Sequence, residues 1–497
     1  MAATEWRLAA IRLVRPASQR RRPRFRTIDR CGAAFVLLSL LFGLIFVFIT
    51  PPLWGFDESA HFGRVYQIDH GQILPKRIPD TRGIAYGGEV PINANALVNY
   101  ATADYHKPPR PPAPRVTNPG EYQRLQSQPL ASPLVDQWFT NTAAYSPVPY
   151  VPAVVGLRIA EISHGSVGFA VRSMRICSLL AYTLIVWLAL RALREHRFKW
   201  VVFAAALLPL AVFQAATITA DTMTNALAIL FSALFVKATF LRDSLSRGQT
   251  ALLFAAAVLL PVTKPAYLIL ALLLPVVPSA QLAIRRGSRI VQGCVTVLSV
   301  AAFGVWTFLS AGTSSGMGLM RPKPQWHSVV ASEQLHYVLT HIPHFLRICL
   351  QTILYQGNRY FDQFFGELGF SYIKIPAIAV ICCIVAGIIA FGMCGRPHAS
   401  HPRLIVVIAA LVLSIVGIFG ALYLEFSPVG YYFIDGVQGR YFLPLILVTA
   451  AILLQLIPLR LHVGKGRVAM NSRAAIVLLL GFALATSVVK YDYLIWH

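Results

Sequence analysis

Negative charge is scarce in this chain. Its 497 residues hold 20 Asp and Glu against 44 Lys and Arg, and charged residues of both signs reach only 13 %. That is well below the roughly 25 % of soluble domains, and with 56 % apolar residues it excludes an ordinary water-soluble domain. Cysteine is equally thin, at seven residues without regular spacing. Cys177, Cys294, Cys382 and Cys383 lie inside apolar runs, where a free thiol packs as a small hydrophobe. Neither a disulfide framework nor a zinc site follows. There is no small-residue cleavage site before "PPLWG", and the basic stretch ahead of "CGAAFVLLSLLFGLIFVFIT" is too long for a signal peptide. That apolar run is therefore a retained first span. An internal repeat is also missing, which argues against inverted-repeat transporters.

What is present is apolar sequence in long windows. Runs of about 18 residues or more recur along the whole length, the mark of an all-α polytopic membrane protein. Spans are expected at 32–50, 166–192, 200–217, 222–240, 249–262, 266–282, 290–310, 374–394, 403–423, 440–458 and 473–490, about eleven in all. A basic segment, 1–31, precedes this membrane domain of 32–497. The pair 249–282 is broken by "PVTKPAY" and could be one kinked span. Two spans are preferred, because the alternation then keeps every basic loop on one side. The formal net charge of +24 is not a nucleic-acid footprint. "RALREHRFK" (191–199), "KATFLRDSLSRG" (237–248), "RRGSR" (285–289), "GRPHASHPR" (395–403) and "RLHVGKGR" (460–467) all fall on the side of the basic N-terminus. By the positive-inside rule that side is cytoplasmic. Nine arginines in the first thirty residues could each add roughly 1 kcal/mol of attraction to an anionic leaflet. The other side carries a large first loop, 51–165, with the Pro-rich, non-helical "HKPPRPPAPRVTNPG", and a second loop, 311–372, rich in aromatics and histidine.

The chemistry gathers on that outer side. "WGFDESAHFGR" (54–64) follows the first span directly. If the chain turns helical near Phe56, then Asp57, His61 and Arg64 share one face at i, i+4, i+7, with Glu58 about a quarter-turn away. A carboxylate beside an imidazole and a guanidinium suits deprotonation of a hydroxyl next to a phosphate leaving group. The plainer reading is that Asp57 and Glu58 only cap an emerging helix. Asp221 and Asn225 sit at the outer mouth of "TITADTMTN" and Lys264 at the outer turn "PVTKPAYL". Arg440, in "DGVQGRYFLP" beside Gln438, opens span ten on the outside, where charge statistics disfavour arginine. Its planar fork would suit a lipid-linked phosphate. The plainer roles are an N-cap for Asp221, snorkelling for Lys264 and a pair with Asp435 for Arg440. His336, His341 and His344 match no standard metal spacing. Arg359, Asp362 and Glu367 are weaker outward candidates.

"PPLWGFDESAHFGRVYQIDHGQILP" resembles the opening signature of a bacterial family of multi-pass membrane proteins, domain-of-unknown-function family 2142. Further matching stretches follow in order: "AYSPVPYVPAVVG" (144–156), "FQAATITADTMTNALA" (213–228), "TKPAYLILALLLP" (263–275), "FGELGF" (365–370) and "GVQGRYFLPL" (436–445). The family is similar in plan to glycosyltransferases of the C-type fold, which carry an acidic motif in the first external loop and use polyprenyl-phosphate-linked sugars as donors. The resemblance implies a bacterial inner-membrane enzyme, with an envelope glycan or glycolipid as acceptor. Asp57 would be its general base or a metal-orienting acid, with Glu58 its neighbour and His61 and Arg64 orienting it. No cofactor is assigned; a divalent cation, Mg²⁺ or Mn²⁺, would accompany the metal-orienting role. Read from the residues and not from the resemblance, Lys264 and Arg440 would meet the donor phosphate, within a binding surface that also holds Asp221, Asn225 and Gln438. One departure stands out: "SYIKIP" places Lys374 where an acidic residue is expected. Two other readings stay open, a transporter or flippase of a lipid-linked sugar and a non-catalytic scaffold of envelope assembly.

Overall fold

The structure is a computed structural model describing residues 29–105, 115–284, 286–369, 372–457 and 467–497. Most of the basic N-terminal segment, most of the Pro-rich stretch and most of the loop 460–467 lie outside the described residues. The chain is an all-α polytopic membrane protein. Among the described residues, seven helices are long and apolar enough to cross a bilayer: α1 (Arg30–Ile49), Val167–Ala192, Ala220–Thr239, Ser288–Leu309, His401–Phe426, Gly439–Leu456 and Asn471–Trp496. A helix of twenty residues rises about 30 Å, the thickness of the hydrocarbon layer.

The other expected passes are shorter or broken, and proline is the reason. The segment expected as one span at 200–217 is two helices, Lys199–Ala206 and Pro209–Ala215. Leu208 is extended, at ψ 137°, because a residue before proline is driven out of the helical region. The stretch expected at 266–282, with Pro265, Pro275 and Pro278, forms only short turns. The end of this stretch returns to the foot of the helix before it: Leu245 N–H donates to Gln281 O at 2.8 Å. The segment 249–282 therefore doubles back on itself and is not one kinked helix.

In chain order, α2 is Glu58–Asp69, α3 Val151–Ile162, α4 Val167–Ala192, α5 Ala220–Thr239, α6 Arg247–Thr263, α7 Ser288–Leu309, α8 Ile342–Gly366, α9 Ala377–Gly392, α10 His401–Phe426, α11 Ile446–Leu456 and α12 Arg467–Trp496. The basic loops converge at one end. Lys199 Nζ lies 3.3 Å from Asp29 at the start of α1, and His196 Nε2 2.8 Å from Asp243. Arg242 donates to His398 O at 2.7 Å and Arg396 to Gln455 O at 3.2 Å. Asp57, Lys264 and Arg440 meet at the opposite end.

The segment 51–165 contains an element that the helical reading did not include. β1 (Lys76–Asp80), β2 (Gly83–Pro91) and β3 (Leu134–Trp138) form an antiparallel sheet in the order β1-β2-β3. α3 and α4 hold this segment to the bundle through close backbone contact. A Cβ on Gly156 would come within 2.5 Å of Ser173 O, so only glycine permits the approach. The segment 311–372 contains α8, which lies across the bundle. Phe345 stacks on Tyr423 while Tyr360, fifteen residues on, meets Phe419, only four residues along α10. Two helices in contact over such unequal lengths cross steeply. The outward side of α8 exposes Ile342, Leu346, Leu350 and Leu354, an apolar stripe at i, i+4 spacing.

Candidate functional site

The chain leaves α1 in a tight turn, and Asp57 stands at its end in the left-handed region, φ 52°. A non-glycine residue there is uncommon. Asp57 occupies the N-cap position of α2, yet its side chain makes no capping hydrogen bond. It points away instead. Oδ1 accepts from Asn141 Nδ2 at 2.8 Å and Oδ2 faces Arg440 Nη2 at 3.4 Å. Its side chain is 28 % exposed, enough for a substrate hydroxyl to reach it.

Behind Asp57 lies a buried ion cluster. Asp221, in the first turn of α5, pairs with Lys264, accepts from Gln214 Nε2 at 2.7 Å and lies 3.5 Å from Arg440 Nε. Thr219, not Asp221, caps α5. Asn225 Nδ2 donates to Oε1 of the same Gln214, at 3.0 Å. Lys264 Nζ is framed by the rings of Tyr441 and Tyr145, at 4.7 and 5.6 Å. Arg440 lies over Phe56 at 4.1 Å, and its Nε and Nη1 donate to no acceptor among the described residues. Buried N–H groups without an acceptor are costly, so this fork is poised for an incoming oxygen. Asp435 pairs with Arg321 instead, at 2.7 Å. Gln438 is half-buried, and its carbonyl accepts from Tyr441 N–H.

The remaining residues of the motif brace this site. Glu58 is fully buried and held by Arg175 of α4 in a two-pronged pair, at 2.7 and 2.6 Å. Glu58 also accepts from the amides of Gly55 and Ile218, at 2.9 Å each. Arg64 donates to the carbonyls of Tyr145 and Ile73. His61 stacks on Tyr145 and bonds Tyr150 through Nδ1 at 2.7 Å. The structure therefore brings Asp57, Asp221, Lys264 and Arg440 together, with His61 behind them, and sends Glu58 and Arg64 into scaffolding contacts. Lys374 pairs with Asp362 at 2.7 Å, and Arg359 lies over Tyr372 at 5.9 Å. The β4–β5 hairpin, Glu367–Leu368 with Ile373–Lys374, presses on the turn before Asp57. Gly369, at φ 62°, would set a Cβ within 2.5 Å of Trp54 O. His341 and His344 pack on Tyr337.

The donor set does not suit a divalent cation at Asp57. Glu58 is committed to Arg175, Asp221 to Lys264, and Asp57 faces Arg440, so each carboxylate already meets a cation.

His61 gives the site an acid limit. Burial pushes its pKa down to about 3, Lys264 and Arg440 adding to the effect and Asp221 opposing it. His61 is thus neutral when folded and would bind a proton below about 6.5 when unfolded. Its contribution is complete above pH 6.5 and is lost as the pH falls toward 3, at about 1.4 kcal/mol per pH unit. Melting curves between pH 7 and 4 should show wild type losing stability more steeply than His61→Gln. Parallel slopes would contradict the assignment.

Sequence comparison places this arrangement in a wider group. A family model described as "Predicted membrane protein (DUF2142)" matches residues 40–449. No curated protein and no solved structure matches the chain.

Proposed function

The chain belongs to the DUF2142 family of predicted membrane proteins, and from that premise we propose that it is a glycosyltransferase. It moves a sugar from a polyprenyl-phosphate donor to an envelope glycan or glycolipid, on the extracytoplasmic face of a bacterial inner membrane. The orientation follows from the basic loops, which belong on the cytoplasmic side. One observation carries the reading: a partly exposed carboxylate, Asp57, stands beside a buried guanidinium with N–H groups to spare. A base and a phosphate receptor within one site are what transfer from a phosphate-linked sugar needs.

The step is a single inverting displacement. Asp57 takes the proton of the acceptor hydroxyl as its oxygen bonds to the anomeric carbon. The bond from that carbon to the phosphate oxygen breaks, and polyprenyl phosphate leaves with the electron pair. Its added negative charge meets Arg440, with Lys264 behind. A flippase would instead need charge along a path at mid-membrane. Arg175, the deepest such candidate, is spent on Glu58 and the carbonyls of Val47, Thr50 and Pro51.

Purified protein given polyprenyl-phosphate-linked sugars and envelope glycolipids should release polyprenyl phosphate in step with glycosylated product. Absence of turnover with every donor class would overturn the proposal. In Arg440→Gln, transfer should fall about 10- to 100-fold with a raised KM for the donor, the loss expected for a charged hydrogen bond of roughly 1.5–3 kcal/mol.

A further inference from the structure

We propose that Asp69, His70 and Glu161 form a binding site for a first-row divalent cation of the Zn²⁺ or Mn²⁺ class, within the segment 51–165 and apart from the Asp57–Arg440 cluster. Asp69 ends α2, His70 follows it, and Glu161 lies in the last turn of α3. One ligand atom from each lies within 4.8 Å of the others.

Two acceptors face one another here, with a third, a carboxylate oxygen, beside them. His70 Nδ1 is 3.0 Å from the carbonyl of Tyr66. A carbonyl only accepts, so Nδ1 carries the proton and Nε2 of the neutral ring presents a lone pair. That lone pair is 3.5 Å from Glu161 Oε1. Asp69 has a fully buried side chain, and its Oδ2, 3.6 Å from Nδ1 on the protonated side of the ring, receives no hydrogen bond among the described residues. The Nε2 lone pair and Glu161 Oε1, with a second carboxylate beside them, repel unless a cation lies between them.

Arg158 does not fill that space. Its Nε holds Asp69 Oδ1 at 2.7 Å and its Nη1 holds Glu161 Oε2 at 3.3 Å. These are the other two oxygens, so the arginine braces the carboxylates from behind. An imidazole anchored through Nδ1–H to a carbonyl, with its carboxylate partners braced, is the usual outer shell of a metal site. One nitrogen and two oxygens suit Zn²⁺ or Mn²⁺ better than Mg²⁺, which favours oxygen and water. The His70 side chain is 38 % exposed, which leaves the ion a way in.

The test uses tag-free full-length protein in detergent, stripped with EDTA and titrated with ZnCl₂ and MnCl₂ by calorimetry and thermal melting. One ion per chain should bind and raise the Tm. His70→Gln and Glu161→Gln should each weaken binding at least about tenfold while keeping the metal-free Tm close to wild type. Asp69→Asn is the less informative variant, because its carboxylate is buried. No first-row ion bound, or binding unchanged in both variants, would overturn the proposal.

Discussion

Asp57→Asn is expected to lower sugar transfer by about 10²–10⁴-fold, the range for removing a general base, while the Tm stays near wild type. The substitution keeps the shape of the side chain. Its amide oxygen can still accept from Asn141 or Arg440, and the turn that sets φ at 52° is unchanged. What is lost is the ability to take a proton. The loss should therefore fall on kcat and leave the donor KM nearly unchanged, the reverse of the pattern for Arg440→Gln. Full transfer activity in a folded Asp57→Asn protein would remove Asp57 as the base.

The second large effect is on stability. Glu58→Gln should cost about 3–5 kcal/mol, the penalty for leaving a buried charge without its partner. The Glu58 and Arg175 side chains are 0 % and 1 % exposed. The substitution strands a guanidinium whose other contacts are backbone carbonyls at the end of α1. Thermal melting in detergent reads this directly. The double variant Glu58→Leu with Arg175→Met should recover part of the loss, since no charge is then buried. It cannot recover all of it, because the amides of Gly55 and Ile218 lose their acceptor. A Glu58→Gln protein as stable as wild type would mean that the pair contributes nothing to folding.

These two neighbours show what could be read from sequence. Asp57 and Glu58 are adjacent, and both are expected in one reaction centre although helical spacing sets Glu58 about a quarter-turn away. The structure separates them by partner: one faces Arg440, 383 residues away, the other Arg175, 117 residues away. Helical spacing cannot see such partners. A signal for Arg175 did exist, because an arginine inside an apolar run must find a counter-charge at its own depth. Arg440, Lys264 and Asp221 were legible for the same reason, as charges at the outer rim of apolar segments. Tyr145, Tyr441, Phe56, Asn141 and Gln214 were not, since neutral residues of these kinds occur throughout such loops. The membrane class was plain from long apolar windows. The breaks at Pro209 and after Pro265 were visible as prolines, but apolar windows are blind to them. The sheet β1-β2-β3 escaped because its strands are short and β3 arrives more than forty residues after β2.

α8 lies across the outer end of the bundle with leucine and isoleucine turned outward, and its last turn hands the chain to the hairpin pressed on Trp54. The lipid leaflet would therefore reach the rim of the Asp57 site on that flank. A donor with an isoprenoid tail could slide in sideways, its chain never crossing water. Turnover would then respond to bilayer thickness, because a thinner or thicker leaflet would lower or raise the tail's entry point against a fixed pair of charges.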